Sequence, residues 1–454
     1  MTVEIQKLEL SGWGRYPREL ADTIRPLTVE QARPPLEGPM ISRGQGRSYG
    51  DAAMLSHGLV MLTENLSRFL SFDEKSGLLR TEAGTTLDEI LQRFVPQGWF
   101  PSVVPGTKSV SLGGAVAADI HGKNHHRDGP FGDSVIDFDI VLADGTQRTC
   151  SRENDSDLFW ATVGGMGLTG IVTNVTLKLA RIETPYVIAQ HHQARNLDQS
   201  LEMLDSPVWD DHYTVAWLDC LAKGASLGRS ILMRGHHARL EELPKQLRER
   251  LPPRRRSQHD LRFDFPSWFL NPFAVRAFNE VYYRWQGFRQ SPFVCDYESF
   301  FFPLDRIGNW NRMYGKRGFV QYQCVLPLAE SRRGLRLLLG ETVKSGGASF
   351  LAVLKRFGPE GKGFLSFPHE GYTLTLDFAL GDPRLFPFLE RLDQIVVKHG
   401  GRIYLAKDAR LQAGVFREMY PRLENWLRIK AEVDPRNRFD SDLARRLGLK
   451  PRVE

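Results

Sequence analysis

Three glycine-rich passages and a short run of cationic side chains carry most of the chemistry legible in this chain. The first passage is Ile41-Ser-Arg-Gly-Gln-Gly-Arg-Ser-Tyr-Gly-Asp51. Glycines at 44, 46 and 50 allow positive φ and close approach, so several backbone N–H groups can converge on phosphate oxygens, with Arg43 and Arg47 adding charge. It is not a Rossmann fingerprint, because the third glycine is displaced by one and a strand-like run follows. It also contains Gly46-x-Ser48-x-Gly50, the nucleophile-elbow pattern of serine hydrolases. That pattern needs a helix next, whereas the chain from Asp51 reaches Gly58 within two turns. The second passage runs from Pro105 to His126. Gly113 and Gly114 open an alanine run suited to a helix start against a flat ligand, and His121, Lys123, His125 and His126 follow. His121 and His125 have the i,i+4 spacing of a metal pair, yet Gly122 weakens a helix there and no carboxylate-rich partner is evident, so no metal is expected. The third passage, Thr162-Val-Gly-Gly-Met-Gly-Leu-Thr-Gly-Ile-Val172, puts its glycines before a strand, and alone reads as a turn.

Positioning these passages falls to short elements. Gly58–Leu62, Val135–Leu142 and Ile171–Leu179 read as strands, the last with Val175, Leu177 and Leu179 alternating with Asn174, Thr176 and Lys178. Asp144-Gly145 signals a hairpin. Thr86 can cap a helix that places Leu87, Ile90, Leu91 and Phe94 on one face. The 454 residues, 41% apolar and 25% charged, predict two or three domains and exclude a disordered or collagen-like chain. No apolar stretch approaches the ~18 residues of a membrane helix. The start, Met1-Thr-Val-Glu, lacks the basic flank of a signal peptide, so a soluble chain made without a cleaved export signal is expected. A net charge of +6 favours an anionic ligand or surface only weakly. Cys150, Cys220, Cys295 and Cys324 are far apart and read as reduced thiols of a cytoplasmic protein. The character changes near residue 195, with longer amphipathic helices and a basic segment, Arg254-Arg-Arg256, ahead of Phe263, Phe265, Trp268, Phe269 and Phe273. No nucleic-acid module surrounds that segment, and no nucleic-acid partner is expected.

Taken together, the passages resemble the vanillyl-alcohol-oxidase-type flavoproteins. The resemblance extends to the decaprenylphosphoryl-ribose 2′-oxidase family. It is carried by Arg43-Gly-Gln-Gly-Arg-Ser-Tyr-Gly-Asp51, Ala118-Asp-Ile-His-Gly-Lys-Asn-His-His126, Phe159-Trp-Ala-Thr-Val-Gly-Gly-x-Gly-Leu-Thr-Gly170, Gln321-Tyr-Gln323, Tyr404-x-Ala-Lys-Asp408 and Ser441-Asp-x-Ala-Arg-Arg446. It implies an α+β, two-domain VAO/PCMH-type fold. Residues 1–195 would form the FAD-binding part, 196–403 an inserted substrate domain on an antiparallel sheet with helices, and 404–454 a segment returning to the FAD domain. The FAD contacts it implies are Ser42, Arg43, Gly44, Gln45, Gly46, Arg47, Ser48, Tyr49, Gly50, Asp51, Gly106, Ser111, Gly113, Gly114, Ala118, His121, Val172 and Tyr404. Arg47 stands where many superfamily members have a flavin-linking histidine, so dissociable, non-covalent FAD is expected. Lys407, Tyr49 and His121 are the implied catalytic residues; Lys123, Trp217, Gln323, Lys355 and Thr375 the implied substrate contacts. Thr375 replaces a family cysteine, and Phe301 stands where a tyrosine is common. The implied reaction oxidises the 2′-hydroxyl of a polyprenylphosphoryl-β-D-ribofuranose, a short-chain reductase then completing epimerisation to the arabinose lipid of the cell envelope. A cytoplasmic protein with peripheral contact at the inner membrane is the matching location. An alditol or sugar-lactone oxidase of the same fold is the alternative, and a serine hydrolase the distant one.

Overall fold

The computed structural model describes residues 4–35, 37–209, 211–249, 259–266, 271–288, 291–346 and 351–451. The helix anticipated after Thr86 spans Leu87–Phe94. Thr86 Oγ1 accepts from Glu89 N while Glu89 Oε2 accepts from Thr86 N, a reciprocal cap that satisfies two otherwise unpaired donors. Leu87, Ile90, Leu91 and Phe94 are all buried beneath it.

Two sheets come from the N-terminal part. In the first, Gln6–Ser11 pairs antiparallel with Arg18–Ile24, which runs parallel to Leu59–Leu62, itself parallel to Met40–Arg43. The second is antiparallel, in the order Phe69–Asp73, Leu78–Glu82, Ile171–Arg181, Val135–Val141, Gln147–Ser151, with Trp99–Pro101 added to the far end of Ile171–Arg181. Gly145, at φ +85°, turns the expected hairpin between Val135–Val141 and Gln147–Ser151. Val175, Leu177 and Leu179 face the core, as their alternation predicts, while Lys178 is exposed.

The third sheet has eight antiparallel strands: Phe293–Asp296, Tyr186–Ala194, Ser230–His237, Tyr213–Leu218, Ala352–Phe357, Gly371–Ala379, Phe319–Pro327 and Arg402–Ile403. It starts at Tyr186, ahead of the 195/196 boundary, because that strand takes its partners from 230–237 and 293–296. Such allegiance is a long-range property that a composition shift does not register. After Ile403 the chain returns to the first sheet. Met40 bridges Phe439, with Met40 N donating to Arg438 O (2.7 Å) and Asp440 N donating to Met40 O (3.0 Å).

Candidate active site

The first glycine passage is the turn leaving the strand Met40–Arg43. Arg43 reaches back to donate to Ser11 O (2.6 Å) and Ala53 O (3.2 Å), so it props the loop from behind. Gly46 lies over that guanidinium at φ +61°, where a Cβ would stand 2.3 Å from Arg43 Nη2. The loop is then stitched to the segment after the last strand: Tyr49 N donates to Ala406 O (2.9 Å). A Cβ at Gly50 would lie 2.0 Å from Asp408 O, so only glycine permits this approach. Arg446, from the C-terminal helix Asp442–Leu447, closes the joint. It donates to Asp51 Oδ1 (2.8 Å) and Oδ2 (3.0 Å), to Asp408 Oδ2 (2.7 Å) and to Leu411 O (2.7 Å).

Between the N-terminal sheets and the polar face of the eight-stranded sheet lies a cavity of about 870 Å³. Of the residues anticipated from sequence, Ser42, Gly44, Gln45, Gly46, Arg47, Ser48, Tyr49, Gly106, Ser111, Gly113, Gly114, Ala118, His121, Lys123, Val172, Trp217, Gln323, Lys355, Thr375, Tyr404 and Lys407 line it. Arg43, Gly50 and Asp51 do not. Expected as cofactor contacts, they instead brace the loop, because Arg43 and Asp51 spend their polar atoms on protein partners and Gly50 is pressed against Asp408. The residues after Gly50 form turns, not the helix a nucleophile elbow needs. His121 and His125 part company. His121 faces the cavity, whereas His125 is buried outside its lining and its Nδ1 accepts from Gly358 N (3.1 Å).

The lining suits an extended anionic dinucleotide carrying a flat ring. Ser42 Oγ, Arg47 Nε and His121 Nδ1 are buried without hydrogen-bond partners among the described residues, and all three residues belong to the wall. The Arg47 guanidinium carbon lies over the Trp13 ring, 4.2 Å from its centroid. The helix Leu112–Ala117 begins at this wall with Ser111 as its cap, accepting from Gly114 N (3.4 Å).

The opposite wall is built by strand alternation. Thr373, Thr375 and Asp377 share one face of Gly371–Ala379, and the register sets Asp377 beside Gln321, Thr375 beside Gln323 and Thr373 beside Lys355. Gln323 Nε2 lies 2.9 Å from His121 Nε2 and donates to Thr373 Oγ1 (3.1 Å). With Nε2 accepting, His121 carries its proton on Nδ1. Burial, reinforced by Lys355, pushes its pKa far down, so it stays neutral.

Lys407 follows the turn after the last strand, Lys407 N donating to Tyr404 O (2.9 Å). Its ammonium lies 3.6 Å from the centroid of the Tyr49 ring. Burial lowers its pKa to about 7, Lys355 adding to the shift and the Asp377 carboxylate opposing it. Asp377 is itself pushed up to about 6 by burial, against hydrogen bonds from Gln321 Nε2 (2.6 Å) and the Tyr314 hydroxyl (2.9 Å). Burial brings Lys355 to about 8 and Lys123 to about 7. Lys123 donates to Phe300 O and lies over that ring. Among the described residues, none of these three lysines has a salt-bridge partner. Asp377 and Tyr314 were missed from sequence, and Gln321 was seen only as part of a motif. Polar residues at alternate positions of an otherwise apolar strand, 373, 375 and 377, were the signal available.

A family model for an FAD binding domain matches residues 34–151, and one for D-arabinono-1,4-lactone oxidase matches 375–447. Together with the cavity they define an FAD-dependent oxidoreductase of the VAO type, α+β in class. The chain is 39% identical over 459 residues to decaprenylphosphoryl-beta-D-ribose oxidase of Mycolicibacterium smegmatis, covering 97% of each. It is 34% identical over 373 residues to an uncharacterized protein of Streptomyces coelicolor, covering 80% of this chain and all of that one. A putative D-arabinono-1,4-lactone oxidase of Neurospora crassa shares 32% over 135 residues, 30% of this chain and 24% of the relative. The chain belongs to the decaprenylphosphoryl-β-D-ribose oxidase family.

Proposed function

We propose that this enzyme oxidises the 2′-hydroxyl of a polyprenylphosphoryl-β-D-ribofuranose to the 2′-keto sugar. One observation carries the reading: three desolvated amines, without salt-bridge partners among the described residues, stand on a wall that continues outward into apolar side chains, Val215, Met233, Phe278 and Leu351. Unpaired buried charge calls for an anion, and the apolar extension calls for a chain attached to it. FAD, when bound, supplies the acceptor for the hydride leaving C2′. Lys407, neutral in appreciable fraction near pH 7, takes the hydroxyl proton as the carbonyl forms. Tyr49, its phenol held protonated by burial, supports the amine from below, and His121 offers its Nδ1–H to the cavity. Lys355 and Lys123 hold the phosphate, while Gln323, Thr375 and Trp217 shape the sugar site.

FAD is held non-covalently, since the first loop presents Arg47 where a linking histidine would stand. Acid precipitation should leave the yellow flavin in the supernatant. The keto product requires a hydride donor to become the epimeric alcohol, so a separate short-chain reductase is the consuming partner. A membrane-dissolved substrate fits an enzyme peripheral to the membrane, and the reading is of a cytoplasmic protein that contacts the inner membrane. No helix among the described residues is long and apolar enough to cross one. Arg254–Arg256, Trp268 and Phe269, expected at such a surface, lie outside the described residues.

The match of residues 375–447 to the lactone-oxidase model favours a second reading, oxidation of a soluble sugar lactone or alditol. Anaerobic stopped-flow separates the two: flavin bleaching by polyprenylphosphoryl ribose, and none by free pentoses, pentitols or lactones at equal concentration, is the expected result. Bleaching by the soluble sugars alone would transfer the assignment to the second reading.

A further inference from the structure

The helix Pro272–Gly287 is apolar on two adjoining faces. Ala274, Val275, Phe278 and Tyr282 line the outer part of the cavity. Next to them around the helix, Phe273, Val281, Trp285 and Phe288 face outward, 81%, 68%, 61% and 86% exposed. At 100° per residue Phe288, Val281 and Trp285 run without a polar break into the cavity-lining stripe, since Phe278 belongs to both, and Phe273 stands beyond Arg284 at the far edge. Across the mouth, Ile307 also lines the cavity and is partly exposed; it pairs with His259 in a segment that carries the exposed Phe263. Arg276 and Arg284 border the stripe, and the one acid beside them, Glu280, is held by Arg284 and Arg229.

An outward run of aromatic and aliphatic residues beside arginines is the composition of a helix lying in a membrane interface. A solvated helix face does not need it. We propose that the outer stripe of Pro272–Gly287, with Phe288, is the surface by which the enzyme docks on a lipid bilayer, so that the mouth of the cavity opens into the acyl region. This rests on the polyprenyl-substrate reading, because a long prenyl chain cannot cross water to reach a mouth that faces solvent. The continuity of the exposed stripe with the cavity wall selects a bilayer over a protein partner as the occupant: a lipid chain can slide from one apolar surface to the other without leaving cover.

The test uses the FAD-loaded enzyme and a Val281→Gln/Trp285→Gln/Phe288→Gln variant. The three positions are exposed and outside the cavity lining, so folding and bound flavin should match the parent. Cosedimentation with vesicles of phosphatidylcholine and phosphatidylglycerol should show at least a tenfold weaker partition for the variant. Turnover of long-chain polyprenylphosphoryl ribose in those vesicles should fall with it, while a short-chain, water-soluble analogue is oxidised at the parent rate. Equal partition of parent and variant would overturn the proposal. So would a parent dimer in light scattering that the variant dissolves, which would make a second copy the occupant. If the variant loses vesicle binding but neither sugar bleaches the parent's flavin, the surface stands and the substrate reading falls.

Discussion

Two regions of this molecule bury charge in opposite ways. At the joint between the first glycine loop and the C-terminal segment, Arg446 is matched on both sides by Asp51 and Asp408. Nearby, Arg410 pairs with Asp393 (2.5 Å) and Lys430 with Asp434. Across the cavity, Lys355 and Lys407 are half-buried residues whose desolvated amines have no salt bridge among the described residues, with Asp377 the carboxylate that offsets Lys407. A paired buried charge is a structural fastener, costly to break because its partner is left behind. An unpaired one keeps its desolvation cost until a ligand arrives, which lowers the amine pKa and readies it for anions and protons.

The largest expected effect tests the unpaired side. Lys407→Ala should slow anaerobic flavin reduction by roughly 10³-fold, within the range of a lost general base, while the protein still binds FAD. Full-speed reduction would remove Lys407 from the chemistry. Arg446→Ala should do the reverse, destabilising by about 3–5 kcal/mol because two buried carboxylates lose their partner. Thermal unfolding and flavin release would both report it; an unchanged Tm would dissolve the distinction between the regions. Lys355→Met sharpens it. Its folded pKa lies below the ordinary lysine value, so under about pH 8 the charge carries its full desolvation penalty, relieved as pH rises from there towards 10.5. The variant's Tm should therefore equal or exceed the parent's at neutral pH, while KM for the phosphorylated substrate rises.

A smaller effect concerns titration. Flavin reduction should rise as pH increases through about 7, where Lys407 becomes neutral. Asp377→Asn removes the charge that holds that pKa up, so the midpoint should move to lower pH; a move upward would mean Asp377 acts otherwise. The smallest is an absence of change: a reagent directed at a pocket thiol should leave residue 375 unlabelled, because the side chain is threonine and mass spectrometry should find no adduct there.

Local information in the chain was enough for the glycine loops, the capped helix after Thr86, the strand Ile171–Arg181 and many of the residues that line the cavity. Each depends on φ freedom, capping or period-two alternation, which neighbouring residues settle between themselves. Cavity or bracing was another matter for Arg43 and Asp51, which sit in the same motif as Gln45 and Arg47, yet turn to Ser11 and Arg446. Asp377 entered the site only because strand register put it opposite Gln321 and brought it near Lys407. The exposed stripe of Pro272–Gly287 became meaningful only once one flank was seen to line the cavity. Residue type and spacing determine what a segment is able to do. Burial and long-range partners decide which charges are cancelled and which are left waiting, because desolvation is a property of the surroundings and not of the residue itself.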